Sequence, residues 1–118
     1  KVFRNLTQVE YLSFLDIAEV MIGNSSSGII EAPSFKLPVV NIGSRQGGRL
    51  RASNIIDVPY GKESVEAGIK KAISDEGFKK QLKECTNPYG DGNASGKIVK
   101  ILSEIKLDRE LIQKRITY

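Results

Sequence analysis

The sequence predicts an α/β fold, a parallel sheet with helices on both faces, and three observations carry that prediction. Val20-Met21-Ile22, Val39-Val40-Asn41-Ile42 and Ile55-Ile56-Asp57-Val58 are short, largely apolar runs, the pattern of strands buried on both faces. Segments around them place apolar residues at helical rather than alternating spacing. Gly23 and Gly43 directly follow the first two runs, where the backbone has to leave a strand and turn. Short buried strands interspersed with helices give a parallel sheet, because each crossover returns the chain across one face.

Taken in order, Val2 to Leu6 is a short extended stretch. Thr7 offers an N-cap oxygen and Glu10 its capping-box partner. Gln8 to Ala18 then reads as an amphipathic helix with Tyr11, Leu12, Phe14, Leu15 and Ala18 on its apolar face. After the run at Val20 comes a second helix, Ser25 to Phe35, short or kinked because Pro33 removes an interior amide. Pro38 leads into the second strand. Arg45 to Arg51 is a basic, glycine-bearing loop without periodicity. Beyond the third strand, Val65, Ile69 and Ile73 mark a helix over Lys62 to Ile73, and Phe78 and Leu82 a further helical segment ending near Cys85. Asn87-Pro88-Tyr89-Gly90-Asp91-Gly92 is a turn. Asn93 or Ser95 caps a last long helix carrying Ile98, Val99, Ile101, Leu102 and Ile105. About four strands fall short of the six in a full doubly wound domain, so the chain reads as a piece of a larger protein.

Composition narrows the function classes. The length of 118 residues fits one domain, and no apolar run approaches the ~20 residues that span a bilayer. No apolar targeting core follows Lys1-Val2-Phe3. The single Cys85 excludes an intramolecular disulfide, argues against a thiolate metal cluster, and fits a cytoplasmic location. Lysines around Cys85 leave a reactive thiol open beside a structural one. The net charge is +4, but the late basic residues Lys97, Lys100, Lys106, Arg109, Lys114 and Arg115 are interleaved with Glu104, Asp108 and Glu110. Without an aromatic stacking set, that is a solvated helix face rather than a nucleic-acid surface. The chain has no histidine, so proton transfer near neutral pH has to use other groups here or residues elsewhere.

Ligands of open parallel sheets bind beyond the carboxyl ends of the strands, and two informative loops lie there. In Gly23-Asn24-Ser25-Ser26-Ser27-Gly28, glycines permit close backbone approach and serines supply hydroxyls and free amides, which suits a phosphate or diphosphate. Glu31 lies about one helical turn further on and can accept hydrogen bonds from both hydroxyls of a ribose. Spacing alone leaves a second account open, in which the serines cap the helix and Glu31 complements its dipole. Arg45-Gln46-Gly47-Gly48-Arg49-Leu50-Arg51 can clamp anionic oxygens, or be merely solvated. Neither a phosphate-loop lysine motif nor G-x-G-x-x-G is present, which argues against an ATPase or a nicotinamide dehydrogenase.

These residues also resemble a known family. Gly23 to Phe35 closely resembles the signature of hydrolysing UDP-N-acetylglucosamine 2-epimerases, and the resemblance continues through Pro38 to Gly43, Arg45-Gln46, Gly48-Arg49, Asn54-Ile55-Ile56 and Tyr89 to Ala94. The resemblance implies a Rossmann-like fold and a place within the C-terminal domain of a two-domain GT-B enzyme. The N-terminal domain and the opening of the second domain are then absent from residues 1–118. It implies that Ser25 and Ser26 contact the diphosphate, Glu31 the ribose and Arg45 the phosphates, that the backbone near Leu6 lies beside the uracil, and that Gly23, Asn24, Gly28, Gln46 and Arg49 support them. Arg4 and Asn5 fall where some relatives bind a sialic-acid nucleotide, but the basic and imidazole pair is incomplete and the regulation is not transferred.

The family reaction eliminates UDP across C1–C2 to a 2-acetamidoglucal, then adds water with inversion at C2, releasing N-acetylmannosamine for sialic acid synthesis. No metal and no cofactor are implied. Proton-transfer carboxylates and a histidine would come from the missing regions, so the isolated chain is expected to be inactive. The implied partners are UDP or a UDP-sugar, the missing N-terminal domain and a homo-oligomeric full enzyme, with no nucleic acid and no membrane. A sister epimerase for a diacetamido sugar of legionaminic type remains a rival. A non-catalytic regulatory or interaction module is a third reading, disfavoured because the strand ends carry serine, glycine and arginine rather than clustered acids.

Overall fold

Thr7 sets the first regular element through the reciprocal bonds of a capping box. Its hydroxyl accepts from the Glu10 amide at 3.3 Å, and the Glu10 carboxylate accepts from the Thr7 amide at 2.8 Å. In the computed structural model, which describes residues 1–113, this box opens helix α1, Gln8–Ile17. Lys114 and Arg115, counted above with the basic face, lie outside the described residues. Leu15 is buried and Tyr11 and Leu12 pack beside it. Phe14, read as part of the same apolar face, is 42% exposed and instead meets Phe3, with ring centroids 5.4 Å apart.

The sheet holds three parallel strands, β1 (Met21–Gly23), β2 (Val39–Ile42) and β3 (Ile55–Val58), in the order β1-β2-β3. The register pairs Met21 with Val39 and Val39 with Ile55. Val2 to Leu6 does not join the sheet. Arg4 and Asn5 interrupt its apolar run, and the segment packs through Phe3 onto Phe14 instead.

The period of two along each strand divides the core cleanly. Val39 faces Leu15, Ala32 and Leu37, with Met21, Ile55, Tyr11, Leu12 and Phe35 around them. Val40 and Ile56 face the other way, towards Ala72 and Phe78, with Val20, Val58 and Ile69 alongside. The first layer is covered by α1, helix α2 (Ser27–Ile30) and the following 3-10 turn Ala32–Phe35; the shortness of α2 agrees with the break expected at Pro33. The second layer is covered by α3 (Lys62–Ser74) and α4 (Glu76–Lys83). Helices therefore lie on both faces, as the sequence predicts.

Two glycines set how closely the helices approach. A Cβ on Gly68 would sit 2.9 Å from both Val40 and Val58, and one on Gly28 would sit 2.8 Å from Val39. The expectation that the first strand is buried on both faces fails at Ile22, which is 48% exposed, because α3 packs over β2 and β3. Helix α5, Ala94–Glu104, buries none of its residues, with Ile98, Val99, Ile101 and Leu102 all exposed. Helix α6 spans Arg109–Ile112. Cys85 is buried and unpaired, which favours its structural reading. Among the described residues no helix is long and apolar enough to cross a membrane.

Candidate functional site

The β1–α2 turn and the β2–β3 connection meet at one backbone carbonyl. Gln46 Nε2 donates to the Asn24 oxygen at 2.7 Å, and Arg45 Nη1 donates to the same oxygen at 3.3 Å. The Arg45 guanidinium therefore lies one residue from Ser25. It is exposed and has no carboxylate partner among the described residues, which leaves its charge available to an incoming anion. Asn24, Ser25, Arg45 and Gln46, singled out separately in the sequence, are thus brought together.

The three serines divide by role. Ser27 is buried, and its Oγ accepts from the Tyr11 hydroxyl at 2.6 Å, tying α1 to the turn. Ser25 Oγ accepts from the Ser27 amide at 3.3 Å. Ser26 stands at the N-cap position of α2 but makes no side-chain capping bond. The helix-cap account of the turn therefore does not describe Ser26, whose hydroxyl is left for another partner. Helix α2 has four residues, so the anion-binding capacity rests on hydroxyls, local amides and Arg45 rather than on a long helix dipole.

Gly23 adopts φ +146 with open space around it, a backbone setting that favours glycine. Gly28 has a different reason: it is buried against Val39 and Met21, so its missing side chain serves helix-on-sheet packing. Glu31 is half-buried, and its Oε2 has no hydrogen-bond partner among the described residues. That oxygen is enclosed, and an enclosed carboxylate oxygen without a donor is costly in a protein interior. Gln46 is 2% exposed, and its Oε1 is likewise unpartnered because its amide nitrogen faces Asn24. Arg49 is exposed on the loop. Leu6 is set apart: with Phe3, Asn5, Val9 and Phe14 it lines a largely apolar groove on the outer side of α1 whose lining includes none of Ser25, Ser26 and Ser27.

Arg51, read in the sequence with Arg45 and Arg49 as a clamp for anionic oxygens, is instead committed to a carboxylate of its own chain and holds the loop together with Asp57 and Asn41. Arg51 Nη1 grips Asp57, at 2.6 Å to Oδ1, while Nη2 donates to the Gln46 carbonyl at 2.6 Å. Asn41 Nδ2 donates to the same Asp57 oxygen at 2.6 Å. Partial burial works to raise the Asp57 pKa, but the Asn41 bond and the Arg51 charge outweigh it and hold the carboxyl below its usual value. The available signal was positional: Asn41 and Asp57 are the polar residues in otherwise apolar strands, and they are register partners. Tyr89 joins from the late turn, its hydroxyl donating to the Leu50 carbonyl at 3.0 Å. Among the described residues, no cluster of three histidine, cysteine, aspartate or glutamate side chains could hold a metal ion.

Residues 1–103 match the family model described as UDP-N-acetylglucosamine 2-epimerase. The chain is 39% identical over all 118 residues to the hydrolysing UDP-N,N'-diacetylbacillosamine 2-epimerase of Legionella pneumophila, covering 30% of that protein. It is 49% identical over 109 residues, 92% of its length, to the hydrolysing GDP/UDP-N,N'-diacetylbacillosamine 2-epimerase of Campylobacter jejuni, covering 28% of it. A solved structure described as an S. aureus MnaA-UDP co-structure aligns with a TM-score of 0.68 and 29% identity over 87% of this chain and 28% of that one. The chain thus spans about 30% of the length of the curated relatives it matches.

Proposed function

The chain belongs to the UDP-N-acetylglucosamine 2-epimerase family, and we propose that it is the part of a hydrolysing UDP-sugar 2-epimerase that holds the UDP leaving group. The observation carrying this reading is the convergence of Arg45 and Gln46 on the Asn24 carbonyl, which sets a guanidinium without a carboxylate partner beside Ser25, whose Oγ accepts from the Ser27 amide and keeps its proton to donate, and Ser26, whose hydroxyl makes no capping bond. Charge building on the departing diphosphate is then met by donors already in place, so little reorganisation is needed as the C1–O bond breaks. Glu31, with an oxygen lacking any protein donor, holds the ribose. Leu6 borders the uracil, an assignment resting on the resemblance and not on contact with the serines. Gly23, Asn24, Gly28 and Arg49 shape or flank the turn.

In this reading residues 1–118 are part of the C-terminal domain of a GT-B enzyme. The remaining length of the relatives corresponds to the N-terminal domain and the opening of the C-terminal domain, which supply proton transfer, and the intact enzyme is a cytoplasmic homo-oligomer. The overall reaction is elimination of UDP followed by addition of water with inversion at C2. A second reading of the sugar has its own support: the two relatives described above, matching 92 to 100% of the chain, are named for N,N'-diacetylbacillosamine. Product analysis of the full-length enzyme with UDP-N-acetylglucosamine and with the diacetamido substrate separates the two.

Calorimetric titration of UDP tests the site itself. Charge-assisted bonds contribute about 1.5–3 kcal/mol each, so the Ser26→Ala/Glu31→Ala double variant should lose roughly 100-fold in affinity or more. Undiminished UDP binding by that variant removes the site assignment.

A further inference from the structure

The connection that presents Arg45 has no helix or strand between Gly43 and Asn54. Such a segment lacks a backbone ladder and belongs to the least stable part of a fold unless side chains hold it. Here they do. The Arg51 fork closes a small ring, gripping Asp57 with Nη1 and the Gln46 carbonyl with Nη2. Asp57 is braced in turn by Asn41, which is 2% exposed and fixed in the central strand β2. From Gln46 the chain of bonds continues through Nε2 to the Asn24 carbonyl. A continuous polar path thus runs from the buried middle of the sheet, through Asp57 and Arg51, to the serine turn. Tyr89 steadies the far side by donating to Leu50.

We infer that Arg51, paired with Asp57, is a positioning residue that sets affinity for a nucleoside diphosphate by holding Gln46 and Arg45 over the serine turn. The inference rests on the function proposed above and extends it. No hydrogen bond joins Arg51 to the turn; its effect passes through Gln46. A bidentate guanidinium suits this role because its planar donors reach two acceptors at fixed separation, whereas a lysine ammonium is a single point charge. With the clamp intact, the loop is ordered before the ligand arrives, and binding does not have to supply that ordering.

The experiment compares Arg51→Lys, which keeps the charge but not the fork, and Asp57→Asn, which keeps the shape but not the charge. Each is titrated with UDP in the unmodified and the Arg45→Ala background, and amide exchange over residues 46–50 is followed without ligand. The clamp predicts about tenfold weaker UDP binding for Arg51→Lys, which loses the Gln46 carbonyl bond as well as the fork on Asp57, about twofold for Asp57→Asn, whose carboxylate is half-exposed, and faster exchange in both single variants. It predicts less than a twofold further loss when Arg45 is already absent, because the residues then act as one unit. UDP affinity unchanged in both variants overturns the clamp, and so does an equal loss in the Arg45→Ala background. Absence of UDP binding by the unmodified chain overturns the proposed function instead, and is distinguishable from both.

Discussion

The turn Gly23 to Gly28 and the loop Arg45 to Arg51 lie at neighbouring strand ends and carry similar cues of glycine and polar side chains, yet different forces hold them. The turn is fixed by packing. Gly28 lies flat on Val39, Ser27 is bonded to Tyr11, and α2 continues directly from it. The loop has no such support and is held by side-chain bonds from Arg51, Gln46 and Tyr89. Packing against a core resists salt and pH, whereas an ion pair whose carboxylate is 57% exposed is screened and titratable. The two halves of the site should therefore fail under different perturbations.

The largest effect should come from Gly28→Ala. Its Cβ would lie 2.8 Å from a buried, β-branched valine that has little freedom to move, and overpacking of that kind costs about 1–3 kcal/mol. Thermal denaturation should show a lowered midpoint, while amide exchange within the loop at temperatures well below it stays as before. A midpoint equal to that of the unmodified chain would mean that the turn is not packed as described.

Tyr11→Phe should cost about 1 kcal/mol, the net value of a hydrogen bond whose removal leaves the buried Ser27 hydroxyl unpaired. Chemical denaturation measures this, and loosening should localise to residues 25–28. Equal loosening of residues 45–51 would erase the distinction between the two regions.

The smallest effect is acid sensitivity of the loop. Asp57 has its pKa lowered in the fold, so its contribution is present above the ordinary aspartate value of about 3.9 and is lost as pH falls through the lowered one. With a half-exposed carboxylate that contribution is a few tenths of a kcal/mol. Amide exchange over residues 46–50, corrected for its intrinsic pH dependence, should rise below pH ~4, and Asp57→Asn should abolish the change. Persistence of the rise in Asp57→Asn would assign it to another carboxylate.

Much of the frame was legible because it depends on short-range patterns. The Thr7–Glu10 box, the break at Pro33 and the strands at Val39 and Ile55 follow from local geometry and spacing, and each was read from neighbouring residues. Ser25, Arg45 and Gln46 were legible as candidates by type and resemblance, but not as contacts. Val2 to Leu6 misled because an extended stretch does not reveal whether an edge is available to it. Ile22 misled similarly: an apolar side chain in a strand does not disclose which helix covers it.

By itself the sequence determined the class of fold, the family and the chemistry on offer at two strand ends, because periodicity, capping and residue type are properties of adjacent positions. Tertiary structure alone decided that Ser27 is committed to Tyr11 while Ser26 remains free, that Gly28 serves packing, and that Arg51 grips Asp57 to hold Arg45 beside Ser25. Those outcomes depend on strand register and on side chains meeting across 6 to 22 positions of chain. Only a folded sheet defines such separations.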